Sequence, residues 1–204
     1  EETMINYKYY HWGPFLYQSL INKFEINNIK KLCKKDVKKN ATKLLSGLID
    51  HEYSIDNNKL IKIMSPYIKS YLESYVKWSG KKTLGNQIQI TDSWVNYMTK
   101  YETNPMHTHS EDLSFVIFLK VPKELHNEFK QHENHRRRPG VLTFIITLNE
   151  RKNFISNQAF FPAVGDIFIF PANLHHEVNS FKCKGERISV YGNLKINNLK
   201  NIKR

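Results

Sequence analysis

The chain has 204 residues, 40% hydrophobic and 13% aromatic, enough to fold around one real core and too apolar for disorder. No apolar run is long enough to span a bilayer, no signal peptide is visible, and Glu1–Thr3 before Met4 reads as a tag remnant. Two cysteines, Cys33 and Cys183, exclude a disulfide framework and point to a reducing, cytoplasmic home. The net charge of +12 keeps nucleic acid open as a partner. The joint richness in Lys, Asn and Ile is also what an AT-rich genome produces, and no nucleic-acid motif is present.

In chain order, residues up to about 80 read as helical. The run "FEINNIKKLCKK" predicts one helix, and another is expected from about Asp36 towards Leu45. In "SPYIKSYLESYVKW", Tyr67, Ile68, Tyr71, Leu72, Tyr75 and Val76 form one apolar stripe at i, i+3/i+4 spacing, a face to pack on a sheet. Ser65 and Pro66 look like its cap and first turn. "SGKKTLGN" ends the helical part with Gly80 and Gly85.

From Gln87 the pattern changes to short β-branched and aromatic runs bounded by Gly, Pro and Asn. These are "QIQITDSWVNYM", "LSFVIFLKV", "GVLTFIITL", "GDIFIF" and "RISVYGNL". Many short strands without intervening helices predict an antiparallel sandwich or barrel. The polar stretch "HNEFKQHENHRRRPG" reads as an inserted loop, with Arg136–Arg138 at a solvated tip. The expectation is a single domain over 1–204, with a mostly helical support at 1–85 and a β core at 86–196.

The chemistry centres on "NPMHTHSEDLSFVIFLKVP". On an extended backbone, residues i and i+2 share a face, so His107 and His109 can aim two imidazoles into one cavity. His109 with Glu111 has the same spacing, and Asp112 is a further acid. Alone this signal is weak in a chain with nine histidines. Downstream, in "GDIFIFPANLHHEV", an apolar strand runs to Pro171 and the pair His175 and His176 follows, with Arg187 eleven residues after His176. An arginine there can clamp a carboxylate with its planar fork. Two close ligands, a distant histidine and an arginine resemble the facial triad of non-haem Fe(II) oxygenases.

Taken together, "HWGPFLYQSLI", "LLSGLIDHEY", "SWVNYM", "MHTHSEDLSFVIFLKVP", "FPAVGDIFIFPANLHHEV" and "ERISVYGN" resemble the 2-oxoglutarate/Fe(II)-dependent dioxygenases. The likeness is to the small oxygenases of marine bacteriophages in particular. The resemblance implies an α+β, mainly β fold: a double-stranded β-helix, or distorted jelly roll, with N-terminal helices packed on one sheet. It implies Fe(II) and 2-oxoglutarate as cofactors, dioxygen as co-reactant and hydroxylation of a C–H bond, a protein or peptide being the leading substrate. The first ligand maps onto His107. The family at large has Asp or Glu two residues later, where this chain has His109, so the second ligand is His109, or the pair slides to His109 and Glu111. The distal ligand maps onto His176, leaving His175 outside the set. Arg187 would hold the distal carboxylate of 2-oxoglutarate. Tyr97, ten residues before His107, stands where related prolyl hydroxylases contact the cosubstrate, or is a core aromatic. Trp94, Asn96, Ser189 and Asn193 are expected near the cavity. Two rival readings are a cupin-type metalloenzyme that ignores 2-oxoglutarate and a non-enzymatic phage jelly-roll binding module.

Overall fold

A computed structural model describes residues 13–82, 87–132, 134, 137–147 and 155–197. Glu1–Thr3, Gly85 and Arg136 lie outside the described residues, as does part of the "HWGPFLYQSLI" block. Ten strands form two antiparallel sheets. The large sheet holds β1 (Tyr17–Leu20), β2 (Glu52–Ser54), β3 (Gln87–Met98), β5 (Leu113–Lys120), β8 (Asp166–Pro171) and β10 (Arg187–Asn197), in the order β1-β8-β5-β10-β3-β2. The small sheet orders β4 (Asn104–His107), β9 (His175–Val178), β6 (Leu142–Ile145) and β7 (Asn157–Phe160) as β4-β9-β6-β7. Two facing antiparallel sheets with this winding are a double-stranded β-helix.

Alternation on the central strands divides the interior in two. Val95, Tyr97, Phe115, Ile117, Ile167, Ile169 and Val190 face the helices. Their neighbours Trp94, Met98, Val116, Phe118, Phe168, Phe170 and Tyr191 face the small sheet, where Leu142, Phe144 and Val178 meet them. Both faces are covered, which is why β5 and β8 are almost continuously apolar rather than alternating.

The first helical expectation holds in α1 (Lys23–Leu32), which buries Ile26 and Ile29. The long helix α2 (Asn57–Ser79) buries Leu60, Met64, Ile68 and Tyr71, so the aromatic stripe does pack on the sheet. Its start was misplaced, however. Asp56 is the cap, its side chain accepting from the Lys59 amide, and Pro66 lies inside the helix. Proline removes one backbone donor there. The Ser65 hydroxyl does not cap; it donates back to the Ile61 carbonyl, four residues earlier in the same helix. Gly80 ends the helix at φ 67°, a left-handed cap that a Cβ would oppose.

The helix expected over 36–45 does not form; two 3₁₀ turns, Val37–Lys39 and Thr42–Leu44, replace it. Asp36 accepts from the Lys38 amide and Asn40 from the Thr42 amide, local bonds that compete with helix propagation. Nor is the N-terminal part only a helical support: β1 and β2 close the two edges of the large sheet. The polar insert is likewise not wholly loop, since it opens in α3 (Lys123–Gln131), anchored by buried Leu125. Among the described residues, no helix is long and apolar enough to cross a membrane.

Candidate active site

His107 ends β4 and is the direct cross-strand partner of His176 on β9. Their rings stand 4.2 Å apart, centroid to centroid. His109 follows in the turn towards β5, tied by its amide to the Ala172 carbonyl at 2.8 Å. Its ring lies 4.9 Å from that of His107 and 5.2 Å from that of His176. One ligand atom from each of the three histidines falls within 4.8 Å of the others, a set that could hold a metal ion. His109 lies beyond the end of β4 rather than on an extended strand, and the loop that carries it achieves the same convergence.

The Nδ1 atoms of His107 and His176 face the carbonyls of Pro105 (2.7 Å) and Leu174 (2.9 Å). A carbonyl only accepts, so Nδ1 carries the proton and Nε2 keeps its lone pair for a metal. Burial lowers the pKa of all three. His176 falls to about 3 and His109 to about 4, helped by neighbouring His107, and His107 falls as well. Neutral imidazole is the form a metal needs. His175 is exposed and points away. Glu111 and Asp112 lie outside the cluster, and the Asp112 carboxylate instead accepts from the Ile196 amide at 2.7 Å.

Arg187 opens β10 on the inner face and is fully buried. It donates to the Gly140 carbonyl (3.0 Å) and the Met98 sulfur (2.7 Å), and its guanidinium sits 5.7 Å from the Phe118 ring centre. Nε has no partner, and among the described residues no carboxylate pairs with it. Burial depresses its pKa below the ordinary arginine value, opposed by nearby Tyr191. The Ser189 and Tyr191 hydroxyls, two and four residues further on the same face, are also buried without partners. A buried cation without a counter-charge, beside two idle hydroxyls, is costly by itself and suited to an anionic ligand.

Trp94 links the two groups, 6.0 Å from His109 and stacked at 6.1 Å on Tyr191. Asn193 lines the cavity and accepts from the buried Ser114 hydroxyl at 2.9 Å. Asn96, also inward, pairs across the sheet with Ser189. Tyr97 requires a correction: strand alternation turns it to the helical face, where its hydroxyl donates to the Cys33 carbonyl at 3.0 Å. It is the core aromatic and does not reach the cavity. Tyr191, unremarked in the sequence, was legible from the two-residue period running through Arg187, Ser189 and Asn193. Gly140 and Met98, the holders of Arg187, carried no such signal.

Three neutral imidazoles and an unpaired arginine inside a double-stranded β-helix define a non-haem metalloenzyme for an anionic cosubstrate. Residues 92–193 match the family model described as "Putative 2OG-Fe(II) oxygenase". No curated protein matches the chain. Solved structures share the fold. An oxidoreductase of the 2OG-Fe(II) oxygenase family from Burkholderia pseudomallei is 14% identical, TM-score 0.54, over 87% of this chain and 80% of that one. The viral collagen prolyl hydroxylase of Paramecium Bursaria Chlorella virus-1 is 14% identical, TM-score 0.55, over 89% and 96%. A Pseudomonas putida prolyl-4-hydroxylase is 13% identical, TM-score 0.55, over 89% and 92%.

The chain therefore belongs to the 2OG-Fe(II) oxygenases. It is an oxygenase with Fe(II) and 2-oxoglutarate as cofactors and dioxygen as co-reactant, which sets aside the cupin and binding-module readings. The residues present fit both groups: neutral nitrogen donors for iron and orphaned cationic and hydroxyl donors for a dicarboxylate.

Proposed function

We propose that the protein is a hydroxylase that oxidises a C–H bond in a protein or peptide substrate. His107, His109 and His176 hold the iron, and Arg187 holds the distal carboxylate of 2-oxoglutarate with the Ser189 and Tyr191 hydroxyls beside it. One observation carries this reading: three imidazoles converge on the inner face that also buries a cation with no counter-charge among the described residues. When bound, iron and 2-oxoglutarate supply oxidation of substrate by dioxygen, with succinate and carbon dioxide released. The chain's own part is to present neutral nitrogens, to neutralise and orient the cosubstrate, and to keep water out with Trp94, Phe118, Phe170 and Phe144.

One observation favours a protein or peptide substrate: two of the structural neighbours are prolyl hydroxylases.

The test is to add Fe(II) and 2-oxoglutarate to the protein without oxygen and record the visible spectrum. A weak charge-transfer band that needs both additions is expected in the wild type and absent in His176→Ala. No band in the folded wild type, or an unaltered band in the variant, overturns the assignment.

A further inference from the structure

The active-site cavity, about 270 Å³, is lined by His107, His109 and Trp94. Its wall also includes Glu52, Asp92, Asn104 and Asn193, and among the described residues no lysine or arginine lines it, although the chain as a whole carries +12. Glu52 is 1% exposed, and its Oε2 has no hydrogen-bond partner. The Asn104 side-chain carbonyl is a second buried acceptor without one. Nearby Glu102 is engaged: its carboxylate accepts from the Asp50 and Thr99 amides. Glu52 thus keeps a carboxyl without a cation in the wall of the hollow, with the cross-strand Asn96 side chain beside it.

The local fold aims it there. Its carbonyl accepts from the Ala41 amide at 2.8 Å, and its own amide donates to the Thr42 hydroxyl at 3.3 Å. Gly47 closes over the carboxyl so tightly that a Cβ would stand 3.2 Å from Oε1. Burial, then the charge of Glu102, pushes the Glu52 carboxyl up to about 7 against the hydrogen bond of the Asn96 side chain, which lowers it; no cation offsets the burial. Orphaned acceptors beside a metal site call for a ligand that brings donors and positive charge.

Resting on the oxygenase reading above, we infer that this cavity receives a cationic group of the substrate. An ammonium or guanidinium at the end of a long side chain would be seated on Glu52 and Asp92, next to the iron ligands. The hollow has room for one such side chain. Its source is either a Lys or Arg residue of a peptide or a free alkylamine, and the two share this chemistry.

The test uses the whole chain loaded anaerobically with Fe(II) and 2-oxoglutarate. Binding of Nα-acetyl-lysine methylamide, Nα-acetyl-arginine methylamide, the uncharged Nα-acetyl-norleucine methylamide, and butylamine is followed by calorimetry. A charged hydrogen bond in a buried site predicts at least about tenfold tighter binding of the lysine or arginine probe than of the norleucine probe. Glu52→Gln is expected to erase most of that preference, and Asp92→Asn part of it. Butylamine binding as well as the lysine probe identifies a free amine as sufficient; much weaker binding identifies a residue in a chain. Equal binding of charged and uncharged probes to the wild type overturns the inference, whether or not Glu52→Gln folds. So does a preference that survives in both variants. The charge-transfer band reports separately on the oxygenase reading. A band without the preference sinks only the cationic pocket, and the preference without a band sinks only the cosubstrate assignment.

Discussion

Replacing Arg187 with Met separates the structural cost of a buried cation from its use. In the ligand-free chain the guanidinium is fully buried, holds only the Gly140 carbonyl and the Met98 sulfur, and leaves Nε idle. Removing it relieves a desolvation penalty of several kcal/mol. It also strands the Gly140 carbonyl, which costs about 1–3 kcal/mol. These oppose each other, so Arg187→Met should melt within a few degrees of the wild type, or above it. The ligand response should differ sharply. With 2-oxoglutarate at a hundred times its Kd, binding adds about 2.7 kcal/mol to the wild type. For a chain of this size each kcal/mol moves Tm by about 2–4 °C, so the shift should be about 5–11 °C. The assay is thermal unfolding with a metal-loaded site, with and without 2-oxoglutarate. The variant should show no shift. A full shift would refute the carboxylate clamp. A ligand-free midpoint lowered by more than about 10 °C would refute the claim that the cation is uncompensated without its ligand.

Tyr97→Phe should leave the 2-oxoglutarate shift intact and lower stability by about 1 kcal/mol, because its hydroxyl serves the Cys33 carbonyl and not the cavity; a lost shift would restore it to the site. The metal-free chain should lose stability as pH falls from 6.5. The buried histidines have folded pKa values below their ordinary 6.5, down to about 3 for His176, so the unfolded chain binds more protons throughout that window. Glu52 works the other way: raised from 4.5 to about 7, its contribution is present at low pH and lost as pH rises through 7. Unfolding free energies against pH should therefore slope more steeply in Glu52→Gln and less steeply in His176→Ala, and identical slopes would disprove the account. Gly192→Ala should cost at least about 2 kcal/mol, since its Cβ would lie 2.5 Å from the Asp92 carbonyl and 2.6 Å from the Phe115 ring. Denaturant titration checks it, and an unchanged midpoint would show that the sheet can yield there.

Much of the site was legible because its signals are local. The pair His107 and His109, the spacing from His176 to Arg187, and the strand runs around them are patterns within a few residues of one another. The type of element follows from periodicity, and the ligand chemistry from residue type. Helix α2 was visible through its aromatic stripe. Its start was not, because Ser65 and Pro66 imitate a helix opening that Asp56 had already supplied nine residues earlier. The 36–45 segment has the composition of a helix, and loses it to side-chain bonds from Asp36 and Asn40 that no propensity records.

By itself, the sequence determined a mainly β chain with N-terminal helices, and which histidines could act as ligands. Only the tertiary structure decided which of them do converge. The β4–β9 register sets His107 opposite His176, while Glu111 and Asp112 turn elsewhere. Strand alternation in three dimensions sent Tyr97 to the helices and Tyr191 to the inner face, though both are aromatic residues on central strands. Glu52 was invisible in the sequence, since an isolated acid in a short strand is ordinarily solvated. Burial against segment 41–47 makes it a carboxyl without a cation in the wall of the cavity that His107 and His109 line. Charge and face are set by packing across distant segments, and that is information no local pattern holds.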